Sequence, residues 1–164
     1  MHIHVVAPAS AAPIKRLNTG LDWLEKMGHQ VELPKDLMKP RLFFAAPLKT
    51  QVDLFKQSFK SKAKVLWCLR GGYGSARLIP YLEKMKPVRQ NKMFIGYSDI
   101  TALHLYFTQV WKWKTIHGRV LTSLDGEANY PDLKLYQELL EGSLKEITYP
   151  KLTAMNEAAK KKQT

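Results

Sequence analysis

A single cysteine, Cys68, excludes any internal disulfide, and its place inside the apolar run KVLWCLR marks it as a small buried hydrophobe. No apolar run approaches the roughly 18 residues that a membrane-spanning helix needs. The opening MHIHVVAPAS has neither the charged start nor the longer apolar core of a secretory leader, and it looks like a first buried strand. A cytoplasmic protein is therefore expected. Acidic residues are scarce: 14 Asp and Glu stand against 26 Lys and Arg, giving a net charge of +12 and a pI near 9.8. Such an excess favours anionic partners such as nucleic acid, membrane surface, cell-wall polymer or phosphate. The cations are nevertheless scattered, as Lys56, Lys60, Lys62 and Lys64; Lys84, Lys86, Arg89 and Lys92; and Lys160 to Lys162. Aromatics do not interleave with them as they would along a nucleic-acid groove. A solvated basic surface is the simpler reading, with neither nucleic acid nor a membrane as partner. His2, His4 and His29 lack ligand spacing, so neither a metal nor a cofactor is expected. No internal repeat is visible.

What is present is one domain's worth of chain, 164 residues at 45% hydrophobic content with four tryptophans, enough to bury a real core. Strand-like runs and helical patterns alternate from the start. HIHVVAPA is an apolar, β-branched run; Ile14, Leu17, Leu21, Leu24 and Met27 then recur at helical spacing, with Gly28 as a stop signal. QVELP reads as a second strand, and Val52, Phe55 and Phe59 mark a second helix. KVLWCLR has the near-continuous apolar character of a central parallel strand. Residues 75 to 86 read as a short helix that Pro80 must start or kink. KMFIGY is a fourth strand, and Ile100, Leu103, Phe107 and Val110 form the clearest helical stripe. KTIHG supplies a fifth strand, Pro131 opens a helix running to Glu141, and KEITYP reads as a last strand. The series predicts an α/β fold, a parallel doubly wound sheet with helices on both faces, in the flavodoxin or Rossmann manner. Residues 1–150 form the domain, and the weakly periodic tail 151–164 reads as a linker.

In open parallel sheets function sits beyond the carboxyl ends of the strands. Two such ends stand out. In LRGGYGSAR, Gly71, Gly72 and Gly74 follow the third strand, and consecutive amides there can form a nest for an anion. The stretch half resembles a dinucleotide fingerprint, but Arg77 replaces the third small residue and the acidic partner further on is not evident. In Gly96-Tyr97-Ser98-Asp99 a strand gives way to a helix, the context of a nucleophile elbow. The G-x-S-x-G pattern is not matched, because Ile100 stands at the second glycine. Ser98 or Asp99 could equally cap the helix by accepting an amide hydrogen bond.

Taken together, WCLRGGYGSARLIPYL, FIGYSDITALHL and TIHG, with the opening VVAPAS, closely resemble the LD-carboxypeptidases of serine peptidase family S66, over roughly residues 3 to 120. The resemblance implies that Ser98 is the nucleophile and that the amides of Gly72 and Asp99 form the oxyanion hole, with Gly71, Tyr73 and Gly74 completing the substrate loop. It implies a murein tetrapeptide as substrate, cut to release its terminal D-alanine in cell-wall peptide recycling. A related branch cleaves peptide-nucleotide antibiotics. Two loops at neighbouring strand ends can set amide donors and a hydroxyl around one carbonyl carbon, as acyl transfer requires, and the helix that opens at Asp99 turns its positive end toward a developing oxyanion.

A serine hydroxyl is a weak nucleophile until a base takes its proton. In the resembled family a Glu and then a His follow the serine, both in a separate C-terminal domain, and none of Glu127, Glu138, Glu141, Glu146 or Glu157 fits that Glu motif. The expectation is that this chain lacks that domain and is inactive alone. His104 lies beside the core stripe and reads as structural. His117 ends the fifth strand on the Ser98 edge and is the rival base. Arg119 stands where family members usually carry Pro, which changes the local loop. The alternative reading is a non-catalytic basic α/β module that binds an anionic ligand at the glycine loop. A homodimer stays open.

Overall fold

The computed structural model describes residues 1–89, 91–124, 131–147 and 153. Among the described residues five strands form one parallel sheet: β1 (His2–Val6), β2 (Gln30–Glu32), β3 (Val65–Cys68), β4 (Met93–Gly96) and β5 (Ile116–His117). Their order, β2-β1-β3-β4-β5, is that of the flavodoxin-like doubly wound fold. The expected fold class holds.

The helices follow from the pattern. In α1 (Ile14–Lys26), Leu17 and Leu24 are buried, and the helix stops at Gly28, whose φ of +75° is the left-handed residue of a C-terminal cap. Ile14, expected on the buried face, is 60% exposed because it opens the helix and overhangs the core. α2 (Leu48–Ser58) buries Val52 and Phe55. The helix expected over residues 75–86 is shorter and broken. A 3-10 turn over Ser75–Leu78 leads into α3 (Ile79–Leu82), with Pro80 in its first turn, where no amide donor is required. α4 (Thr101–Gln109) buries Leu103 and Phe107, but it ends before Val110, which is therefore 53% exposed and not part of the stripe. α5 (Pro131–Glu141) ends at Gly142 with φ +73°. The last expected strand does not form over residues 145–147, whose backbone takes no regular structure, and the rest of KEITYP lies outside the described residues. So does the expected linker, Thr153 apart.

Side-chain alternation along the buried strands splits the core in two. Leu66, Cys68 and Phe94 face α2, α3 and α4, where Phe55, Leu78, Leu82, Leu103, Phe107 and Trp111 close over them. Val65, Trp67, Leu69 and Ile95 face α1 and α5, against Leu17, Leu24, Tyr136 and Leu140. Cys68 is fully buried, which pushes its thiol pKa well above the ordinary value. No helix among the described residues is long and apolar enough to cross a membrane.

Candidate active site

The chain leaves β1 for the β2 edge and returns to β3, so the sheet order reverses between β1 and β3. In open α/β sheets ligands bind beside such a switch point. The loops after β1, β3 and β4 meet at this point.

The β4 turn is the most constrained part. Ser98 has φ +63°, one of three described non-glycine residues in the left-handed region. An L-residue held there costs roughly 1–3 kcal/mol, which the surrounding packing must offset. Tyr97 before it is extended, and a 3-10 turn over Ser98–Ile100 leads at once into α4. This is a strand, a strained residue and a helix, with the Ser98 side chain exposed at the tip. The departure from G-x-S-x-G also has a physical reason. A Cβ at position 96 would lie 2.8 Å from Ile100 Cγ2 and 3.1 Å from Cys68 Sγ. Gly96 therefore makes the room that Ile100 fills, and one small residue serves where the usual pattern has two.

The glycine loop lies directly against this turn. A Cβ at Gly71 would sit 3.1 Å from Ser98 Cβ and 3.4 Å from Ser98 Oγ. Gly72 (φ +96°) and Gly74 (φ +112°) both take the left-handed backbone, and side chains there would run into Ser10 and the Phe44 ring respectively. Two hydrogen bonds, both donated by Ser75, fasten the loops together. The Ser75 amide donates to Asp99 Oδ2 at 2.8 Å, and Ser75 Oγ donates to the Asp99 carbonyl at 2.6 Å. Neither Ser98 nor Asp99 caps its own helix. Asp99 instead caps the turn that begins at Ser75, so the simple capping expectation fails. The amide of Asp99, second in its turn, precedes the first intrahelical bond, and no described backbone carbonyl takes the amide of Gly72.

Sequence reasoning missed the third loop. Ser10 donates its amide to the Gly71 carbonyl (3.2 Å), and its Oγ accepts from the Tyr73 amide (3.0 Å). Arg70 Nη1 donates to the Ala11 carbonyl at 2.7 Å. The signal was the serine that closes VVAPAS, just past the carboxyl end of the first strand. Around this frame Leu42, Phe43 and Tyr73 form an exposed apolar rim, with Phe43 and Tyr73 edge to face at 6.5 Å. Arg77 lies over the Phe44 ring at 3.8 Å.

The two histidines sit in different surroundings. His104 is buried, with Nε2 2.8 Å from the Gly96 carbonyl, and burial is the largest influence holding its pKa below the ordinary value. His117 is exposed at the end of β5, opposite Gly96 in register, with its ring 6.5 Å from Tyr97 and 5.8 Å from His104. Among the described residues no hydrogen bond joins Ser98 to either histidine. Beside His117 an open groove of about 560 Å³ runs between β5 and α5, lined by Tyr97, Arg119, Tyr136, Leu139 and Ile147. Arg119 anchors its rim: its amide donates to the Tyr136 hydroxyl, and its carbonyl accepts from Trp67 Nε1 at 2.8 Å. A proline at 119 could not supply that amide. No cluster of metal-ligating side chains occurs among the described residues.

Residues 3–118 match the model of the LD-carboxypeptidase N-terminal domain of peptidase S66. A Rickettsia conorii protein named as a carboxypeptidase is 39% identical over 161 residues, covering 96% of this chain and 50% of its own length. The murein tetrapeptide carboxypeptidase of Pseudomonas aeruginosa is 30% identical over 124 residues, covering 74% of this chain and 40% of its own. The chain thus spans about half the length, or less, of these relatives. Among solved structures, the muramoyltetrapeptide carboxypeptidase of Oxalobacter formigenes superposes with a TM-score of 0.72 at 22% identity, over 85% of this chain and 47% of the other. The microcin C7 self-immunity protein MccF superposes at 0.78 and 20%, over 91% and 48%. At those identities the superpositions speak for the fold alone.

Proposed function

The chain belongs to the LD-carboxypeptidase family, peptidase S66, and from that premise we propose that it is the nucleophile-bearing half of a serine LD-carboxypeptidase acting on murein tetrapeptides in cytoplasmic cell-wall recycling. Ser98 Oγ attacks the carbonyl that precedes the terminal D-alanine. A histidine oriented by a glutamate, both supplied by a C-terminal domain, takes the hydroxyl proton. The amides of Gly72 and Asp99 hold the oxyanion of the tetrahedral intermediate, supported by the helix that starts at the elbow. The same histidine returns the proton to the leaving D-alanine amine, and water then hydrolyses the acyl-enzyme.

The observation that carries this reading is the left-handed Ser98, exposed and packed against the α-carbon of Gly71. Backbone strain of this kind needs a reason, and a helix cap, which costs nothing in φ, does not supply one.

The test is fluorophosphonate labelling and D-alanine release from a murein tetrapeptide, with and without the C-terminal half of a full-length relative. The chain alone should release no D-alanine and should label slowly, because loss of triad partners costs several powers of ten in rate. Supplying the second half should restore both, and Ser98→Ala should abolish both. Turnover that survives Ser98→Ala would end the serine-peptidase reading. Rapid labelling of the chain alone that vanishes in His117→Ala would move the base to β5.

A further inference from the structure

The cations that look scattered along the sequence are gathered by the topology. In a parallel sheet every connection from a helix into the next strand returns to the same edge, here the edge opposite Ser98. Three of these connections feed adjacent strands: residues 59–64 before β3, 83–89 and 91–92 before β4 and 110–115 before β5. They carry Lys60, Lys62, Lys64, Lys84, Lys86, Arg89, Lys112 and Lys114, all exposed, together with the buried Lys92. Their only acid is Glu83.

The three loops form one joined surface. Lys92 Nζ donates to the carbonyls of Ser61 and Ala63, tying the second loop to the first. The Met93 amide donates to the Lys64 carbonyl at 2.8 Å, and Trp113 Nε1 donates to the Val88 carbonyl at 2.7 Å, tying the third loop to the second. Burial and, after it, the neighbouring Lys64 charge hold Lys92 below the usual lysine pKa. Glu32, the nearby carboxylate, already accepts from Ser61 Oγ at 2.7 Å and lies 3.0 Å from His4 Nδ1.

We propose that this basic pole docks the protein on an anionic phospholipid bilayer, against the expectation from sequence that a membrane is no partner. The chemistry favours lipid over nucleic acid on four counts. Seven of the eight exposed cations are lysines, compact point charges without the bidentate fork that Arg offers a phosphodiester. The loop aromatics Trp111 and Trp113 are buried, and Tyr81 at the end of α3, though 37% exposed, is a single ring with Lys84 Nζ over it at 5.8 Å, so these three residues offer bases no row of stacking platforms. Helices α2, α3 and α4 all end at this edge, so none presents its N-terminal amides to a phosphate. Exposed Val110, between α4 and Lys112, is apolar surface that a polyphosphate cannot use and that the headgroup layer can take up.

The experiment is co-sedimentation of the 164-residue chain with phosphatidylcholine vesicles, with and without one third phosphatidylglycerol. Binding should require the anionic lipid and fall steeply as salt rises. The triple variant Lys62→Glu, Lys86→Glu, Lys112→Glu should lower partition at least about a hundredfold, since each lysine near an anionic surface contributes a factor of roughly five. The corresponding Lys→Gln set should give a smaller loss in the same direction, and Val110→Ser should lower partition severalfold without changing its salt dependence. Unfolding midpoints would check that each variant is folded. Equal binding to both vesicle types, or undiminished binding of the folded triple variant, would overturn the proposal. So would a DNA duplex that strips the chain from the vesicles and binds it more tightly at the same salt.

Discussion

Removing the Asp99 carboxylate should loosen the frame of the candidate site in a way that can be read at one amide. In the native structure the buried Ser75 amide donates to Asp99 Oδ2 at 2.8 Å, which fixes the glycine loop to the Ser98 turn. A hydrogen bond to a charged acceptor contributes about 1.5–3 kcal/mol, and its loss leaves a buried donor unsatisfied. Asp99→Ala should therefore destabilise the chain by about 2 kcal/mol, a fall in Tm of about 4–8 °C for a domain of this size. Asp99→Asn keeps an acceptor oxygen and should cost about 1 kcal/mol. Ser75→Ala removes only the bond from Oγ to the Asp99 carbonyl, again about 1 kcal/mol. The bonds join the same two residues, so the double variant should be non-additive. Urea unfolding gives the energies, and hydrogen exchange at the Ser75 amide locates them. A wild-type urea midpoint for Asp99→Ala, with the Ser75 amide still protected, would refute the reasoning.

Two further predictions follow from the same geometry. Gly72→Ala should cost about 1–3 kcal/mol by denaturant unfolding, because a methyl there meets Ser10 as well as a left-handed backbone; Gly28→Ala, left-handed but open to space, should cost less. Burial lowers the pKa of His104 and of His29 in the folded state, so the unfolded chain binds more protons below its ordinary histidine value of 6.5. Stability from these groups is thus complete above pH 6.5 and is lost as pH falls toward their folded values. The stability slope between pH 6.5 and 5 should flatten in His104→Gln, and an unchanged slope would show that His104 is not a source of it.

Much of the fold was legible because burial imposes periodicity. Val65–Cys68 is buried on both faces and reads as an unbroken apolar run, and the left-handed Gly28 and Gly142 mark two helix ends by composition alone. Misreadings fell where apolar residues sit beyond the core. Val110 continues a helical spacing past the helix end, and Ile147 lines an open groove without joining a strand. At the site, the serine and the glycine loop were visible as motifs. The bonds of Ser10 to Gly71 and Tyr73, and of Ser75 to Asp99, were not, since a polar pair made across loops leaves no periodic trace. The clustering of the cations was hidden for a similar reason: it exists only once the sheet order is known.

Among the described residues the strands shorten toward both margins of the sheet, from five residues in β1 and four in β3 and β4 to three in β2 and two in β5. An outer strand is a row of unpaired donors and acceptors on which another chain can grow. With two or three residues on offer, either margin holds too few rungs to template a foreign strand. The excess positive charge adds mutual repulsion between copies. The sheet is thereby guarded against edge-to-edge growth, and concentrated solutions of the chain should resist fibrillar aggregation even though its central strands are unbroken apolar segments.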